Sequence, residues 1–195
     1  MVAGYHLIWT VYGWWLPTDP RGSSSQEIRV EQLKDLGELH HGRKAVQPSS
    51  AELRRFYAQA EDLLKHPLLT FSDEEISLLG DTFGQVIRTN GLTCYECAIM
   101  PEHVHMLMRR HRDKAELMIE NLQEASRAQL IRAGRRAPTH PVWGGPGWKV
   151  FLNTRRDFER VVRYIRDNPV KAGRAQKHWD FVTEYDGWMP GYRGG

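Results

Sequence analysis

The chain of 195 residues has few cysteines and lacks long hydrophobic runs. Its two cysteines, Cys94 and Cys97, cannot build a disulfide framework, so a reducing compartment such as the cytoplasm is expected. No run approaches the length of a membrane span, and no Lys or Arg precedes the alternating apolar stretch near the amino terminus. We therefore expect no signal peptide and no membrane partner, and we interpret residues 1–195 as one globular domain.

Positive charge is concentrated in one part of the chain. The net charge is +3, but residues 127–174 hold 12 Lys and Arg against 3 Asp and Glu, while the remainder holds 15 against 21. A basic segment attracts a polyanion such as nucleic acid and steers it toward the protein. A solvated helical face would have the same composition, so charge alone leaves both interpretations open.

Two histidines, His103 and His105, are spaced two apart in an apolar run. Side chains at this spacing in a strand point to one face, so both imidazoles can converge on one metal ion. Val104 and Leu107 are expected to pack on the other side. An H-x-H pattern is weak evidence by itself, because many buried histidines only satisfy hydrogen bonds.

A tyrosine and an asparagine share one face of a predicted helix that opens at Thr154. Tyr164 and Asn168 are spaced i, i+4. Because Pro169 disfavours helical backbone in the preceding residue, we expect Asn168 at the helix end, with its amide turned toward the histidines. Two imidazoles, an amide oxygen and a phenol can bind a divalent cation and attack a phosphodiester. An ordinary helix tyrosine and a helix-ending asparagine are the alternatives.

These motifs together resemble a known family. Met100-Pro-Glu-His-Val-His-Met-Leu107 resembles the histidine–hydrophobic–histidine signature of single-tyrosine HUH transposases. Tyr164-Ile-Arg-Asp-Asn-Pro-Val-Lys-Ala-Gly173 resembles the catalytic-tyrosine helix of that family, most closely its REP-associated tyrosine transposase (RAYT) branch. The similarity covers about Tyr5 to Tyr12, which resembles the family's first strand, and Leu92 to Phe181. Residues 17–50 have no counterpart and are interpreted as a family-variable insertion.

The resemblance implies a metal-dependent single-stranded DNA endonuclease and strand transferase of the HUH fold. Tyr164 would form a 5′-phosphotyrosine link, and His103, His105 and Asn168 would bind Mg²⁺ or Mn²⁺. Imidazole favours manganese, whereas magnesium prefers oxygen ligands. The implied substrate is single-stranded DNA beside a hairpin, such as a REP or insertion-sequence end. Glu102 departs from the family, where asparagine is common.

The resemblance and the basic segment lead to three further expectations. The protein would act near the nucleoid in the cytoplasm of a prokaryote, as a monomer or a homodimer. Basic side chains would contact DNA phosphates. These candidates are Arg109, Arg110, Arg112, Arg127, Lys149, Arg155, Arg156, Arg160, Arg163, Arg166 and Lys171.

Three other functional interpretations remain open. The chain could bind DNA hairpins with vestigial chemistry, or it could be a phosphodiesterase that uses metal-activated water. A zinc site could join Cys94 and Cys97 to the two histidines. We disfavour zinc because side chains three apart in a strand face opposite ways.

Hydrophobic periodicity and turn residues predict the order strand, helix, helix, strand, strand, helix, strand, helix. This order is typical of an α+β fold with helices packed on an antiparallel sheet, and the resemblance implies a ferredoxin-like or RRM-like arrangement. Residues 26–47 could form a lid, a short helix or an insertion. We expect Trp14 and Trp15 in the core rather than stacked on bases. The aromatic tail at 175–195 either wraps the core or clamps nucleic acid.

The predicted strands cover Tyr5–Tyr12, Leu92–Ile99, a segment from His103 and Trp148–Leu152. The predicted helices begin at Ser49, Ser72, Asp113 and Thr154.

Overall fold

The computed structural model describes residues 1–23 and 25–191 and has an α+β fold. One antiparallel sheet contains four strands in the order β2-β3-β1-β4. With its helices, the sheet has the β-α-β-β-α-β connectivity of the ferredoxin-like fold, so the predicted fold class is confirmed. The strands are β1 (Gly4–Thr10), β2 (Cys94–Ile99), β3 (His103–Arg109) and β4 (Trp148–Leu152). The helices are α1 (Ser50–Leu63), α2 (Asp73–Thr89), α3 (Ala115–Arg132) and α4 (Arg155–Lys171), with a 3₁₀ helix at Glu31–Leu36.

Capping boxes begin three of the four α-helices, as their sequences predict. In each, a hydroxyl accepts a backbone N–H three residues later, and the acidic side chain there accepts the N–H of the capping residue. The pairs are Ser49 with Glu52, Ser72 with Glu75, and Thr154 with Asp157. Helix α3 differs from the prediction because its N-cap is Lys114, and Asp113 contacts His111 instead.

The two faces of the sheet pack against different helices. Leu7, Trp9 and Met106 belong to the main core, which α2 and α3 complete. On the other face α4 packs over β2 and β3 through its predicted apolar stripe of Phe158, Val161, Val162 and Ile165. Gly4 allows this approach, since a Cβ there would lie 2.5 Å from both the Phe158 ring and a backbone oxygen.

A bulge in β2 corrects the predicted orientation of the cysteines. The register shifts between Cys94 and Glu96, so Cys94 and Cys97 both enter the main core although they are three residues apart. The bulge absorbs one residue of the alternation. His103 and His105 project from the opposite face, so the zinc interpretation stays disfavoured for this different reason. Leu107 was predicted to face away from the histidines, but it lies on their face because it is two residues beyond His105.

Helix α4 corrects the predicted position of Asn168. The helix continues to Lys171 with Pro169 inside it. Proline removes only its own N–H, and the backbone N–H of Ala172 still donates to the Asn168 carbonyl. Pro169 is also buried on the apolar side of the helix, where its packing offsets the missing hydrogen bond. Asn168 therefore lies within the last turns of α4 and not at its end.

Part of the insertion packs against α1 in a small second core. Leu33 from the 3₁₀ helix is buried against side chains of α1, so a short helix is confirmed within the predicted insertion. Trp14 packs against this cluster and the main core, as predicted. The cluster consists of Leu16, Leu33, Phe56, Tyr57 and Ala60.

The aromatic tail wraps the core as far as residue 191. Phe181 enters the main core, and Tyr185 stacks on Phe158 with ring centroids 4.9 Å apart. The Thr183 N–H donates to the carbonyl of Cys94 at the outer edge of β2. Tyr192, the last aromatic residue of the predicted tail, lies outside the described residues.

Candidate active site

The two histidines of the H-x-H motif lie side by side on β3, between β2 and β1 in the sheet. Their ring centroids are 4.8 Å apart and the rings are nearly perpendicular, at 79°. Both side chains are buried beneath α4. The strand spacing therefore predicted a shared face correctly, and the role of His103 and His105 as metal ligands stays a prediction.

Helix α4 brings Tyr164 and Asn168 to this pair. The Asn168 Oδ1 lies 3.2 Å from Nε2 of His103. One turn earlier, the Tyr164 ring lies 5.2 Å from the His105 ring, centroid to centroid. Tyr164 is 43% exposed, so an incoming substrate can reach its phenol. The structure thus assembles the four residues predicted to form the catalytic and metal-binding set.

A third histidine, His6 on β1, joins the site without having been predicted. Its Nε2 lies 3.0 Å from Nδ1 of His105, and its ring centroid lies 5.7 Å from that of Tyr164. The predicted β1 alternation hinted that His6 shares a face with Ile8. Only the pairing of β1 with β3, however, shows that this is the histidine-bearing face.

Burial keeps two of these rings neutral. It lowers the pKa of His6 from 6.5 to about 4. Burial also lowers the pKa of His105 well below its usual value, and the neighbouring His103 and His6 lower it further. Neutral imidazoles retain a lone pair, which is the form that binds a metal ion.

Glu102 lies behind the metal-ligand candidate His103. Its Oε1 is 3.4 Å from Nδ1 of His103, and that buried nitrogen makes no well-formed hydrogen bond. Burial raises the pKa of Glu102, but the contact with His103 and the nearby Arg21 outweigh it and leave the pKa below its usual value. The carboxylate is therefore ionised at neutral pH and can orient His103.

Trp15, just before the insertion, was expected in the core but is only half-buried and forms one wall of the site. The Trp15 ring lies 5.1 Å from that of His103, in an edge-on arrangement, and the Arg21 guanidinium lies 3.8 Å over the Trp15 ring. Arg21 and the Tyr57 hydroxyl both donate to the buried carboxylate of Asp19. Trp15 has a φ of 51°, which side-chain-bearing residues adopt rarely, so these contacts hold a strained backbone.

The donor set fits a divalent cation that accepts nitrogen and oxygen ligands. Neighbouring ligands on an octahedral ion with bonds of about 2.1 Å lie roughly 3 Å apart. The 3.2 Å between His103 Nε2 and Asn168 Oδ1 matches that spacing. In residues 1–23 and 25–191, no three or more His, Cys, Asp or Glu side chains form a metal-binding group, so the set depends on the amide of Asn168.

The basic residues predicted to contact DNA lie on several surfaces, and many are paired. Five form ion pairs: Arg112 with Asp113, Lys149 with Glu116, Arg160 with Asp157, Arg166 with Glu96, and Lys171 with Asp167. Arg109 lies over the Trp188 ring, and Arg127 and Arg155 donate to the carbonyls of Pro138 and Gly187. Arg110, Arg156 and Arg163 are exposed. Glu96 and Glu116, which lie outside the basic segment, thus offset part of its positive surplus, and the DNA contacts stay a prediction.

A separate cavity of about 380 Å³ lies beside the carboxyl end of α4. Its lining includes Glu96, Pro169, Arg174 and Trp179, and none of the four candidate site residues. The four candidate residues therefore lie outside this cavity. Within the described residues, no helix is long and apolar enough to cross a membrane.

Six chains of solved structures are similar to this chain, and two of them are compared below. No family model and no curated protein matches the chain. A REP-associated tyrosine transposase bound to a REP hairpin is 13% identical, over 92% of this chain and 74% of that one, with a TM-score of 0.49. A candidate transposase from Deinococcus radiodurans R1, whose crystal structure was determined at 1.90 Å, is 14% identical, over 90% and 94%, with a TM-score of 0.38.

Proposed function

We propose that this protein is a RAYT-type HUH transposase that cuts and rejoins single-stranded DNA through Tyr164. One observation carries the proposal. Tyr164 and Asn168 on α4 meet His105 and His103 on the interior strand β3, and Tyr164 stays partly exposed. This set combines a reachable nucleophile with ligands for a cation, and the proposed strand transfer needs both.

The chain's own residues would perform the following steps. The Tyr164 oxygen attacks the phosphorus of a DNA phosphodiester and the phenol gives up its proton. The bond from phosphorus to the 3′ oxygen breaks, and that oxygen takes up a proton. The products are a 5′-phosphotyrosine link and a free 3′-OH. Attack by a 3′-OH on the link reverses the reaction and rejoins strands, because the link conserves the phosphodiester energy.

His103, His105 and Asn168 would hold the divalent cation, Mg²⁺ or Mn²⁺. When bound, it would withdraw charge from phosphorus and stabilise the transition state. Two imidazole nitrogens and one amide oxygen favour manganese, whereas magnesium is bound less tightly by nitrogen ligands. Glu102 would orient His103 from behind.

The DNA strand would lie on the uncovered part of the sheet beside α4. Trp148 and Val150 of β4 pair with Ile8 and His6 of β1, so they share the histidine-bearing face. Trp148 is 44% exposed and Val150 is 39% exposed. Unpaired bases would stack on Trp148, while the exposed Arg156 and Arg163 would contact hairpin phosphates.

A denaturing gel tests the proposal. Labelled single-stranded oligonucleotides from the DNA flanking the gene are incubated with protein and Mn²⁺ or Mg²⁺. Wild type is compared with Tyr164→Phe and with the control Tyr5→Phe, which alters a tyrosine on the opposite sheet face. We expect label to migrate with wild type and Tyr5→Phe but not with Tyr164→Phe.

Other outcomes identify the rival functions. Cleavage by Tyr164→Phe without an adduct would indicate a phosphodiesterase that uses water. Tight hairpin binding by wild type, without cleavage in either metal, would indicate a binding protein with vestigial chemistry. The monomer or homodimer state and the nucleoid-associated location stay predictions.

A further inference from the structure

His6 is buried next to a candidate metal ligand, but the proposed chemistry does not use it. The His6 Nε2 lies 3.0 Å from the His105 Nδ1, with ring centroids 5.0 Å apart. His6 is 7% exposed and His105 is 5% exposed, so water does not replace the contact readily. The two rings satisfy each other within the sheet face.

The β1–β3 register creates this contact. His6 is opposite Leu107, and His105 is opposite Ile8, so the two histidines are diagonal neighbours on one face. Tyr164 packs against both rings from α4. Strand pairing on one side and the helix on the other therefore fix the orientation of both imidazoles.

In a hydrogen bond between two neutral imidazoles, either ring can carry the shared hydrogen. Only one of these two positions leaves His105 Nε2 able to bind a metal ion. If the hydrogen belongs to His105 Nδ1, then His105 Nε2 keeps its lone pair. If it belongs to His6 Nε2, then His105 carries its own hydrogen on Nε2 and cannot bind a cation there. The contact thus decides whether His105 can serve as a ligand.

We propose that His6 is a positioning residue that accepts a hydrogen bond from His105 Nδ1–H and so presents His105 Nε2 to the cation. The inference rests on the proposed function, since it assumes that His105 is a ligand. Metal-binding histidines commonly donate their second N–H to an acceptor that fixes the ring and the tautomer. His6 is suited to that role because its Nε2 faces His105 Nδ1.

Two substitutions separate positioning from other roles. His6→Leu removes the acceptor, whereas the amide oxygen of His6→Gln can still accept from His105. Mn²⁺ binding by calorimetry, without DNA, should weaken about 10- to 100-fold in His6→Leu. The loss should be much smaller in His6→Gln. Circular dichroism verifies folding of both variants.

Nitrogen-15 NMR of the histidine rings gives a second readout, which is independent of activity. Metal-free wild type should carry its His105 hydrogen on Nδ1, and His6→Leu should shift it toward Nε2. A wild-type spectrum with the hydrogen on His105 Nε2 would overturn the inference even if His6→Leu does not fold.

The calorimetry also distinguishes this inference from the proposed function. If His105→Ala leaves Mn²⁺ binding unchanged, then the metal site of the proposed function is wrong. If His105→Ala abolishes binding but His6→Leu does not weaken it, then only the role of His6 is wrong. Equal losses in His6→Leu, His6→Gln and His105→Ala would instead make His6 a direct ligand and overturn the positioning role.

Discussion

Asn168 Oδ1 lies 3.2 Å from Nε2 of His103, although 65 residues separate them in the chain. The contact depends on how α4 docks, because Phe158 and Ile165 anchor the helix on the β2–β3 half of the sheet. That docking turns the Tyr164–Asn168 edge toward the histidines. The packing of α4 therefore sets the position of the nucleophile and of one candidate ligand together.

The first prediction concerns the amide of Asn168. We expect Asn168→Ala to weaken Mn²⁺ binding at least tenfold, or about 1.4 kcal/mol, because one of three protein ligands is lost. Asn168→Asp should retain binding, since a carboxylate supplies an oxygen at the same place. Calorimetry without DNA measures both. Asp167→Ala is the control, because Asp167 is exposed and pairs with Lys171. Wild-type affinity in Asn168→Ala would exclude the amide from the metal site.

The second prediction concerns the exposed aromatic residues of β4. Trp148 lies on the histidine-bearing face, whereas Phe151, which is 51% exposed, lies on the other. Loss of one base-stacking partner costs about 1–3 kcal/mol. In a Tyr164→Phe background, fluorescence anisotropy with a hairpin carrying a single-stranded flank should therefore show weaker binding for Trp148→Ala. Phe151→Ala should bind like its parent, and equal losses in the two variants would contradict a strand path beside α4.

Local patterns predicted the parts of the site that depend on one element. Strand alternation places His103 and His105 on one face of β3, and helical spacing places Tyr164 and Asn168 on one face of α4. Capping boxes marked three helix starts because they depend on residues only three apart. The sequence order of strands and helices was likewise sufficient for the fold class.

Features that depend on tertiary packing were not predictable in this way. The role of Pro169 was misjudged because burial of the proline allows α4 to continue past it. The bulge at Cys94 and Glu96 is a property of strand pairing and has no local signal. The contact of His6 required the β1–β3 register, and the position of Trp15 required the fold of the insertion.

The third prediction concerns the buried carboxylate of Asp19, which accepts from the Arg21 that lies over the Trp15 ring. Asp19→Ala would remove the carboxylate that accepts from both Arg21 and the Tyr57 hydroxyl, although Arg21 would keep its bond to the Tyr57 oxygen. Removing one partner of a buried ion pair costs about 3–5 kcal/mol, and we expect roughly 2–4 because Arg21 is partly exposed. Urea unfolding measures the loss. Glu27→Ala is the matched control, since its ion pair with Arg29 is exposed and contributes little. An equally small effect in Asp19→Ala would show that the insertion is held by other contacts.

The last prediction concerns how the free energy of unfolding depends on pH. The lowered pKa of His6 sets the direction of that dependence. Burial lowers the pKa of His6 from 6.5 to about 4 in the folded protein. Between these values the unfolded chain binds a proton that the folded chain does not. The contribution of His6 to stability is therefore complete above about pH 6.5 and is lost as the pH falls toward 4, by about 3 kcal/mol.

Comparison of wild type with His6→Gln isolates this effect, because glutamine does not titrate. Urea unfolding in a chelating buffer, from pH 4 to pH 7, should show a steeper loss of unfolding free energy for wild type as the pH falls. The depressed pKa of His105 acts in the same direction in both proteins, so the difference between the curves reports His6 together with the part of the His105 shift that His6 causes. Parallel curves across this range would mean that His6 binds a proton equally well in the folded and unfolded chain. That result would contradict its burial against His105.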